Sequence, residues 1–591
     1  MTNPAPPAPG PERLAHLRSL SAQYPTAESA ISEAAALRAT LSLPKGVIHV
    51  ISDIHGEDAK LRHVINNASG ALRLLVEQVL GDQLPADERA RFLAVLYYPR
   101  EAVNALSRDI VDSGRRAQWV YQTLTLQFQI IRALRQTYRR ATFERLLHPA
   151  YRELFVELGS AQRPDYIRQI IAGLAVHDRD WGAVRAGARL IRALAINELL
   201  VAGDLGDRGP RIDRVFDNLI GQPNVSVLWG NHDTIWLGAH LGHDACLLTV
   251  LRLSARYRRA AQLEEGYGIM TTPLEKLVRD VYADDPATHF KSKGEGLRDP
   301  VTVARMQKAL AIMQFKAEGR MIQRHPEWAM DNRRLLHRID LKNGTVEIDG
   351  ARHPLVDTNL PTINPGDPYA FSPEEQACLD RLRESFVRSQ RLREHMDWLV
   401  RRGGMWARRD DVLLFHACVP VDDGGRPCSL RVDGRDVSGR ELMDALNTVV
   451  RRAHRKRWFG LDEDADWLWY LWAGPLSPLF GKDKMATFET YFIADKATHK
   501  ERKNPYFELM HDAGFIRGIG RLFGYGDDVM VVNGHVPVKV EKGEHPLKRG
   551  GNAVTIDGAF SEAYGDRGYT LVIRPAASTS PNTPGSPGST R

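Results

Sequence analysis

Short apolar runs, each breaking off into a turn that carries glycine, carboxylate or imidazole, punctuate a chain whose remaining hydrophobic residues mostly recur at helical spacing. The runs at residues 46–52, 199–202, 225–229, 412–415, 529–533, 553–556 and 569–573 are dense in Val, Ile, Leu and aromatic residues and predict buried strands. A helical pattern at 211–219 joins the second run to the third, which makes a βαβ unit and predicts that those strands lie parallel. Residues 26–43 predict a helix with Thr26 as its N-cap.

Between the first two runs, residues 58–197 change character. Segments such as Ala133-Leu-Arg-Gln-Thr-Tyr-Arg-Arg140 and Tyr166-Ile-Arg-Gln-Ile-Ile-Ala172 predict a long helical insertion. A second insertion, 234–409, opens helically and contains Leu341-Lys-Asn-Gly-Thr-Val-Glu-Ile348, where Asn-Gly between β-prone residues predicts a hairpin. The expected fold class is therefore α/β, one domain over 13–573 interrupted by two large, mainly helical insertions. Residues 1–12, rich in Pro and Ala, and the Ser/Thr/Pro/Gly tail 574–591 are expected to be disordered. The glycines of Gly518-Ile-Gly-Arg-Leu-Phe-Gly524 loosely imitate a nucleotide loop, but they precede a strand and read as a helix end.

The polar residues at the strand ends supply the candidate chemistry. The first run leads into Asp53-Ile-His55, the second into Asp204-Leu-Gly-Asp207-Arg208, the third into Asn231-His232, and two later runs deliver His416 and His535. Open α/β sheets place their ligands at such strand ends. Carboxylate, amide oxygen and imidazole donors suit manganese, magnesium or iron, whereas thiolates would select zinc or iron–sulfur chemistry. Asp53 and His55 can reach one ion, Asp204 can bridge two, and Asn231, His416 and His535 can complete the second. A pair of ions about 3.5–4 Å apart would clamp an in-line displacement at phosphorus. His232 is placed to protonate a leaving alkoxide, Asp207 to orient its imidazole, and Arg208 to fork onto phosphate oxygens. Taken singly, these residues read as turn formers or core histidines; together and in this order they point to a two-metal phosphatase.

Composition adds limits. A formal charge of +7 on 591 residues is a mild bias, and without a basic stripe interleaved with aromatics it argues against nucleic-acid binding. The cysteines Cys246, Cys378, Cys418 and Cys428 are too scattered for a disulfide framework and fit a reducing compartment. The start lacks the apolar core of a secretory signal, and no apolar run is long enough to span a bilayer, so a soluble cytoplasmic protein is expected.

The motif set resembles the calcineurin-like metallophosphatases, in Asp53-x-His55, Gly203-Asp204-x-x-Asp207-Arg208-Gly209, Gly230-Asn231-His232-Asp233, His416 and Gly534-His535. Within that superfamily it is similar to the class III fructose-1,6-bisphosphatases, through Ser52-Asp-Ile-His-Gly-Glu57, Pro475-Leu-Ser-Pro-Leu-Phe-Gly-Lys482, His499-Lys-Glu-Arg-Lys-Asn-Pro-Tyr506, Asn533-Gly-His-Val-Pro-Val-Lys539 and Ile556-Asp-Gly-Ala-Phe-Ser561. The resemblance implies an αββα sandwich, two Mn2+ ions with Mg2+ or Fe2+ as alternatives, and hydrolysis of the 1-phosphate of fructose 1,6-bisphosphate in gluconeogenesis. A sugar bisphosphate needs a second anion site, for which the lysine-rich stretch holding Lys482, Lys484, Lys496, Lys500 and Lys503, with Lys539 near His535, has suitable charge. The large insertions offer surface for a homo-oligomer. The chain departs from the family where tyrosine is usual and Gly206 stands, and in Ser561-Glu562-Ala-Tyr564, which bears on substrate fit. A phosphoprotein phosphatase is the alternative enzyme, because the same motifs occur there; a non-catalytic scaffold would keep the fold without phosphate release.

Overall fold

The computed structural model describes residues 11–160, 163–294, 296, 298–457, 463–557 and 568–574. The described residues fold into two compact units, one within 48–65 and 198–573, the other within 1–47, 66–197 and 574–591.

The first unit holds the sheets. Its strands run β1 (Ile48–Ile51), β2 (Glu198–Val201), β3 (Val225–Leu228), β4 (Ile339–Asp340), β5 (Thr345–Ile348), β6 (Ala351–Pro354) and β7 (Gly403–Gly404). They continue with β8 (Trp406–Arg409), β9 (Val412–Phe415), β10 (Ser429–Val432), β11 (Arg435–Ser438), β12 (Met530–Asn533), β13 (Ala553–Thr555) and β14 (Leu571–Ile573). One sheet has the order β14-β1-β2-β3-β7, a second β13-β12-β9-β8. Strands β1, β2, β3 and β7 are parallel, with Val50 opposite Leu200 and Val201 opposite Val227; β14 closes that edge antiparallel. In the second sheet β13, β12 and β9 are parallel, and β8 returns antiparallel on β9. The helix Ile212–Ile220 makes the crossover between β2 and β3, as the spacing predicted.

Val50, Leu200, Ala202 and Leu228 from the first sheet share one buried cluster with Leu414, Val532 and Ile556 from the second. Removing such side chains from water contributes about 1.5–3 kcal/mol each, and it fixes the register, because a one-residue slip would turn these positions outward. The polar strand ends are thereby held at one rim.

The apolar runs all become strands, with ends differing by a residue or two. Three expectations change. The core resumes earlier than residue 412, since β7 and β8 lie inside the stretch read as insertion; Gly403-Gly404 has no apolar signature, and β3 recruits it by backbone pairing alone. The Asn343-Gly344 hairpin forms, but β6 joins it as a third strand. A helix Pro11–Gln23 begins inside the segment expected to be disordered; residues 1–10 and nearly all of the tail 574–591 lie outside the described residues. Gly518 and Gly520 sit in the helix Ala513–Leu522; a Cβ on Gly520 would come within 2.5 Å of Val529 Cγ1, so that glycine serves packing, while one on Gly518 would meet open space.

The second unit is helical. The helix Ala27–Ala39 starts at Thr26, whose hydroxyl accepts from Ser29 N while Ser29 Oγ accepts from Thr26 N. The helix Ser113–Leu134 packs on Asp180–Ala195, and Arg116 clasps the buried Asp180 carboxylate with both contacts at 2.6 Å.

Candidate metal centre

The turns that leave β1, β2 and β12 at this rim bend sharply. Asp53, His55, Asp204, Asp207 and His535 have φ of 53°, 49°, 58°, 97° and 67°, the left-handed region that non-glycine residues rarely enter. Such strain persists where surrounding contacts over-determine the backbone. Here the turns brace one another: Asp53 N donates to Gly203 O at 3.0 Å, His55 N to Asp204 O at 2.9 Å, and His535 N to Asp53 Oδ2 at 3.0 Å. Gly203, at φ 94°, could carry no side chain, since its Cβ would lie 2.4 Å from His416 Nδ1 and 2.8 Å from Gly230 N.

Asp204 is the centre. Its Oδ2 lies 4.0 Å from both His55 Nε2 and His232 Nε2, and its Oδ1 3.5 Å from His416 Nε2. Asp53 Oδ1 is 3.9 Å from His55 Nε2, and His416 Nε2 is 3.2 Å from His535 Nδ1. Two donor groups result, His55–Asp204–His232 and Asp204–His416–His535, with Asp204 common to both. The far nitrogens are pinned by carbonyls: His55 Nδ1 by Gly206 O at 2.9 Å, His416 Nδ1 by Ala202 O at 2.7 Å, His535 Nε2 by Phe480 O at 2.8 Å. Each carbonyl fixes the tautomer that presents a bare nitrogen to the centre.

Electrostatics favour the same use. Burial, then the neighbouring Asp204 charge, lifts Asp53 to about 6. Burial lifts Asp204 to about 7 against Arg208 and the His232 amide, which lower it. Burial, joined by other charged groups nearby, pushes His55, His232 and His535 well below the ordinary histidine value and keeps the rings neutral. Clustered buried carboxylates disfavour their own ionisation, and a cation would relieve them. The Asn231 side-chain oxygen is buried with no hydrogen-bond partner among the described residues, as an atom reserved for a metal would be. Oxygen and imidazole donors without thiolate fit a divalent metal of the manganese, iron or magnesium kind.

The structure brings together Asp53, His55, Asp204, Asp207, Arg208, Asn231, His232, His416 and His535, all at this rim. His232 falls into the first donor group beside His55, although its position suggested a proton donor; its Nδ1 bonds Asp207 Oδ2 at 2.6 Å. Arg208 turns its Nη1 onto His55 Nε2 at 2.9 Å, where the sequence suggested a phosphate-facing fork. Of the lysines, Lys482 pairs with Glu501 at 2.6 Å and bridges by backbone to Lys503; Lys503 is pushed below its ordinary value by burial, then by the Lys539 charge. Lys484 turns away to Glu489 at 3.6 Å.

Sequence reasoning assigned no role to Asp233, Trp236 or Trp472. Asp233 accepts from Gly230 N, Asp204 N and Leu205 N at 2.8, 3.0 and 2.9 Å and so ties two ligand turns together. Its position three residues past Gly230 at the start of the helix Asn231–Leu241 was a legible capping signal. Trp472 meets the His232 ring edge-on, with centroids 4.8 Å apart; nothing local marks that contact.

Neutral imidazoles and buried carboxylates converging at the carboxyl ends of parallel strands define a mixed α/β protein with a candidate divalent-metal site. Residues 15–577 match the family described as Firmicute fructose-1,6-bisphosphatase, and the chain belongs to that family. It is 36% identical over 578 residues to the fructose-1,6-bisphosphatase class 3 of Clostridium acetobutylicum, covering 95% of this chain and 86% of that protein. It is 38% identical to proteins of the same description from Fusobacterium nucleatum, over 94% of this chain and 88% of that one, and Porphyromonas gingivalis, over 95% and 88%. No solved structure matches. Among the described residues no helix is long and apolar enough to cross a membrane.

Proposed function

We propose that the chain hydrolyses the 1-phosphate of fructose 1,6-bisphosphate to fructose 6-phosphate and phosphate, a gluconeogenic reaction in the cytoplasm, using two divalent ions, with Mn2+ favoured over Mg2+ or Fe2+. The observation that carries the reading is the single Asp204 carboxylate shared by two histidine groups in a member of this family. The shared core of the two sheets supports an αββα sandwich over 13–573, interrupted at 58–197 and at 234–409, the last residues of the second stretch returning to the sheets as β7 and β8, and the broad inserted surface suits a homo-oligomer.

Asp53, His55 and Asp204 would hold one ion, and Asp204, Asn231, His416 and His535 the other. When bound, the ions supply Lewis-acid polarisation of the phosphoryl group and a water acidic enough to attack near neutral pH. The water oxygen becomes the fourth oxygen of phosphate, while the bond from phosphorus to the C1 oxygen breaks and its electron pair stays on that oxygen. With the phosphate dianion bound beside it, His232 takes up the Nε2 proton that burial and the Arg208 charge deny it in the empty centre and gives that proton to this leaving oxygen, while Asp207, 2.6 Å from Nδ1, balances the charge and holds the ring. Arg208 can leave His55 for the phosphate oxygens. Lys503, a partly buried ammonium that the Lys539 and Lys482 charges press on, forms with those two lysines the candidate seat for the 6-phosphate.

Phosphate release from fructose 1,6-bisphosphate with manganese tests the reading, beside fructose 1-phosphate, a phosphopeptide, and the variants Asp204→Asn and His232→Ala. Turnover that prefers the bisphosphate and collapses in both variants is expected. A wild type inert on the bisphosphate but active on the phosphopeptide would overturn the substrate and leave the metals standing.

A further inference from the structure

His232 and Trp236 lie one turn apart on the helix Asn231–Leu241, so their side chains share a face. Both reach the same carboxylate: His232 Nδ1 donates to Asp207 Oδ2 at 2.6 Å, and Trp236 Nε1 donates to Asp207 Oδ1 at 2.5 Å. Asp207 and Trp236 are fully buried. Asp207 is thus gripped at both oxygens by donors from one helix, although its own backbone belongs to the turn after β2. The indole is wedged between Tyr267 and Phe386, with ring centroids 5.7 and 6.3 Å away, so it has no freedom to swing. On its far side His232 is bounded by the edges of Trp472 and His55, at 4.8 and 5.0 Å. The imidazole plane is therefore set by a chain of contacts with Trp236 at its fixed end.

Gly206 belongs to the same arrangement. A Cβ at that position would lie 3.3 Å from Trp236 Nε1 and 2.1 Å from Ile212 Cδ1, so the bare backbone leaves the indole N–H a clear line to Asp207.

We propose that Trp236 is a positioning residue for proton donation to the leaving group: its indole N–H fixes the Asp207 carboxylate, which aims His232, and Gly206 leaves room for it. The inference rests on the general-acid reading of His232. A merely structural tryptophan would slow all substrates alike. A positioning tryptophan slows those whose leaving oxygen needs a proton, because general-acid catalysis is worth about 10²–10⁴-fold only where the leaving group is a poor one.

The test compares kcat for fructose 1,6-bisphosphate, whose leaving group is an alkoxide, with kcat for p-nitrophenyl phosphate, whose phenolate departs unaided. The proteins are the manganese-loaded wild type, His232→Ala, Trp236→Phe, and a protein carrying 3-benzothienylalanine at 236, which keeps the indole shape and lacks only the N–H. The expected result is a sugar-to-aryl rate ratio lowered about tenfold or more in both Trp236 proteins, with KM for the sugar little moved, and lowered further in His232→Ala. A ratio that stays at the wild-type value with benzothienylalanine, while His232→Ala lowers it, overturns the role of Trp236 alone. A ratio that His232→Ala fails to lower removes the general-acid reading and the inference with it.

Discussion

Asp466→Asn should destabilise the sheet-bearing unit and slow turnover together, although Asp466 is distant in sequence from every metal-site residue. Asp466 Oδ1 accepts from His243 Nε2 at 2.8 Å and Oδ2 from His325 Nε2 at 2.8 Å, while Arg324 Nη2 reaches both oxygens at 2.8 and 2.9 Å. Burial alone would raise this carboxyl, but the His243 and His325 bonds override it and hold it well below the usual carboxylate range. Burial likewise opposes charge on His325, yet the Asp466 bond, with help from Glu327, raises it. Charge-assisted bonds contribute about 1.5–3 kcal/mol each. The Arg324 side chain is 55% exposed, so solvent screens its share and the histidines carry most of the effect. One-sided loss of a buried pair costs about 3–5 kcal/mol; asparagine keeps one acceptor, so a loss of about 3 kcal/mol is expected.

The pH dependence has a definite sign. His325 is raised on folding, so its stabilisation is complete below its ordinary 6.5 and disappears as pH climbs through the raised value. Asp466 is depressed on folding, so its own share is present above 3.8 and disappears only in strong acid. The penalty of Asp466→Asn should therefore be larger near about pH 6 than near about pH 9. Scanning calorimetry at both pH values, with kcat measured beside it, checks this. Turnover should fall because Asp466 anchors the helix Glu463–Ala473, which carries Trp472 against His232. An unchanged Tm at the lower pH, or an equal drop at both, would refute the reasoning.

Gly230→Ala should reduce metal affinity and phosphate release by about a hundredfold or more, since its Cβ would lie 2.1 Å from Asp204 Oδ1 and 2.5 Å from Asp204 N; equilibrium dialysis of manganese reads it. Gly206→Ala should cost about 1–2 kcal/mol through overpacking on Ile212 Cδ1, with part recovered in the double variant with Ile212→Val, as denaturant midpoints would show. Manganese binding should release protons and weaken as pH falls below 7, because Asp204 is held at about 7 and Asp53 at about 6 in the metal-free centre. Calorimetry in buffers of different ionisation enthalpy counts those protons. Lys503→Ala should shrink the preference for the bisphosphate over fructose 1-phosphate by about tenfold, seen in the ratio of their kcat/KM values.

Much of this protein was legible in its order of residues. An apolar run is a strand because its neighbours along the chain say so, and a ligand that follows such a run directly must emerge at the strand end. For that reason Asp53, His55, Asp204, Asn231, His416 and His535 could be named together, and the helical stretches and the Asn343-Gly344 turn could be placed. Local pattern depends only on residues within a turn or two of each other. Other features arise from pieces of chain meeting across hundreds of residues. The β7 pairing has no apolar signal, because backbone hydrogen bonds recruit it to β3. That His232 joins His55 in one donor group with Asp204, that Lys482 spends its charge on Glu501, and that Arg208 rests on His55 are decided by packing. The double grip of His232 and Trp236 on Asp207 combines a helical spacing that the sequence displays with a strand turn that the pairing of β2 with β3 brings beneath it.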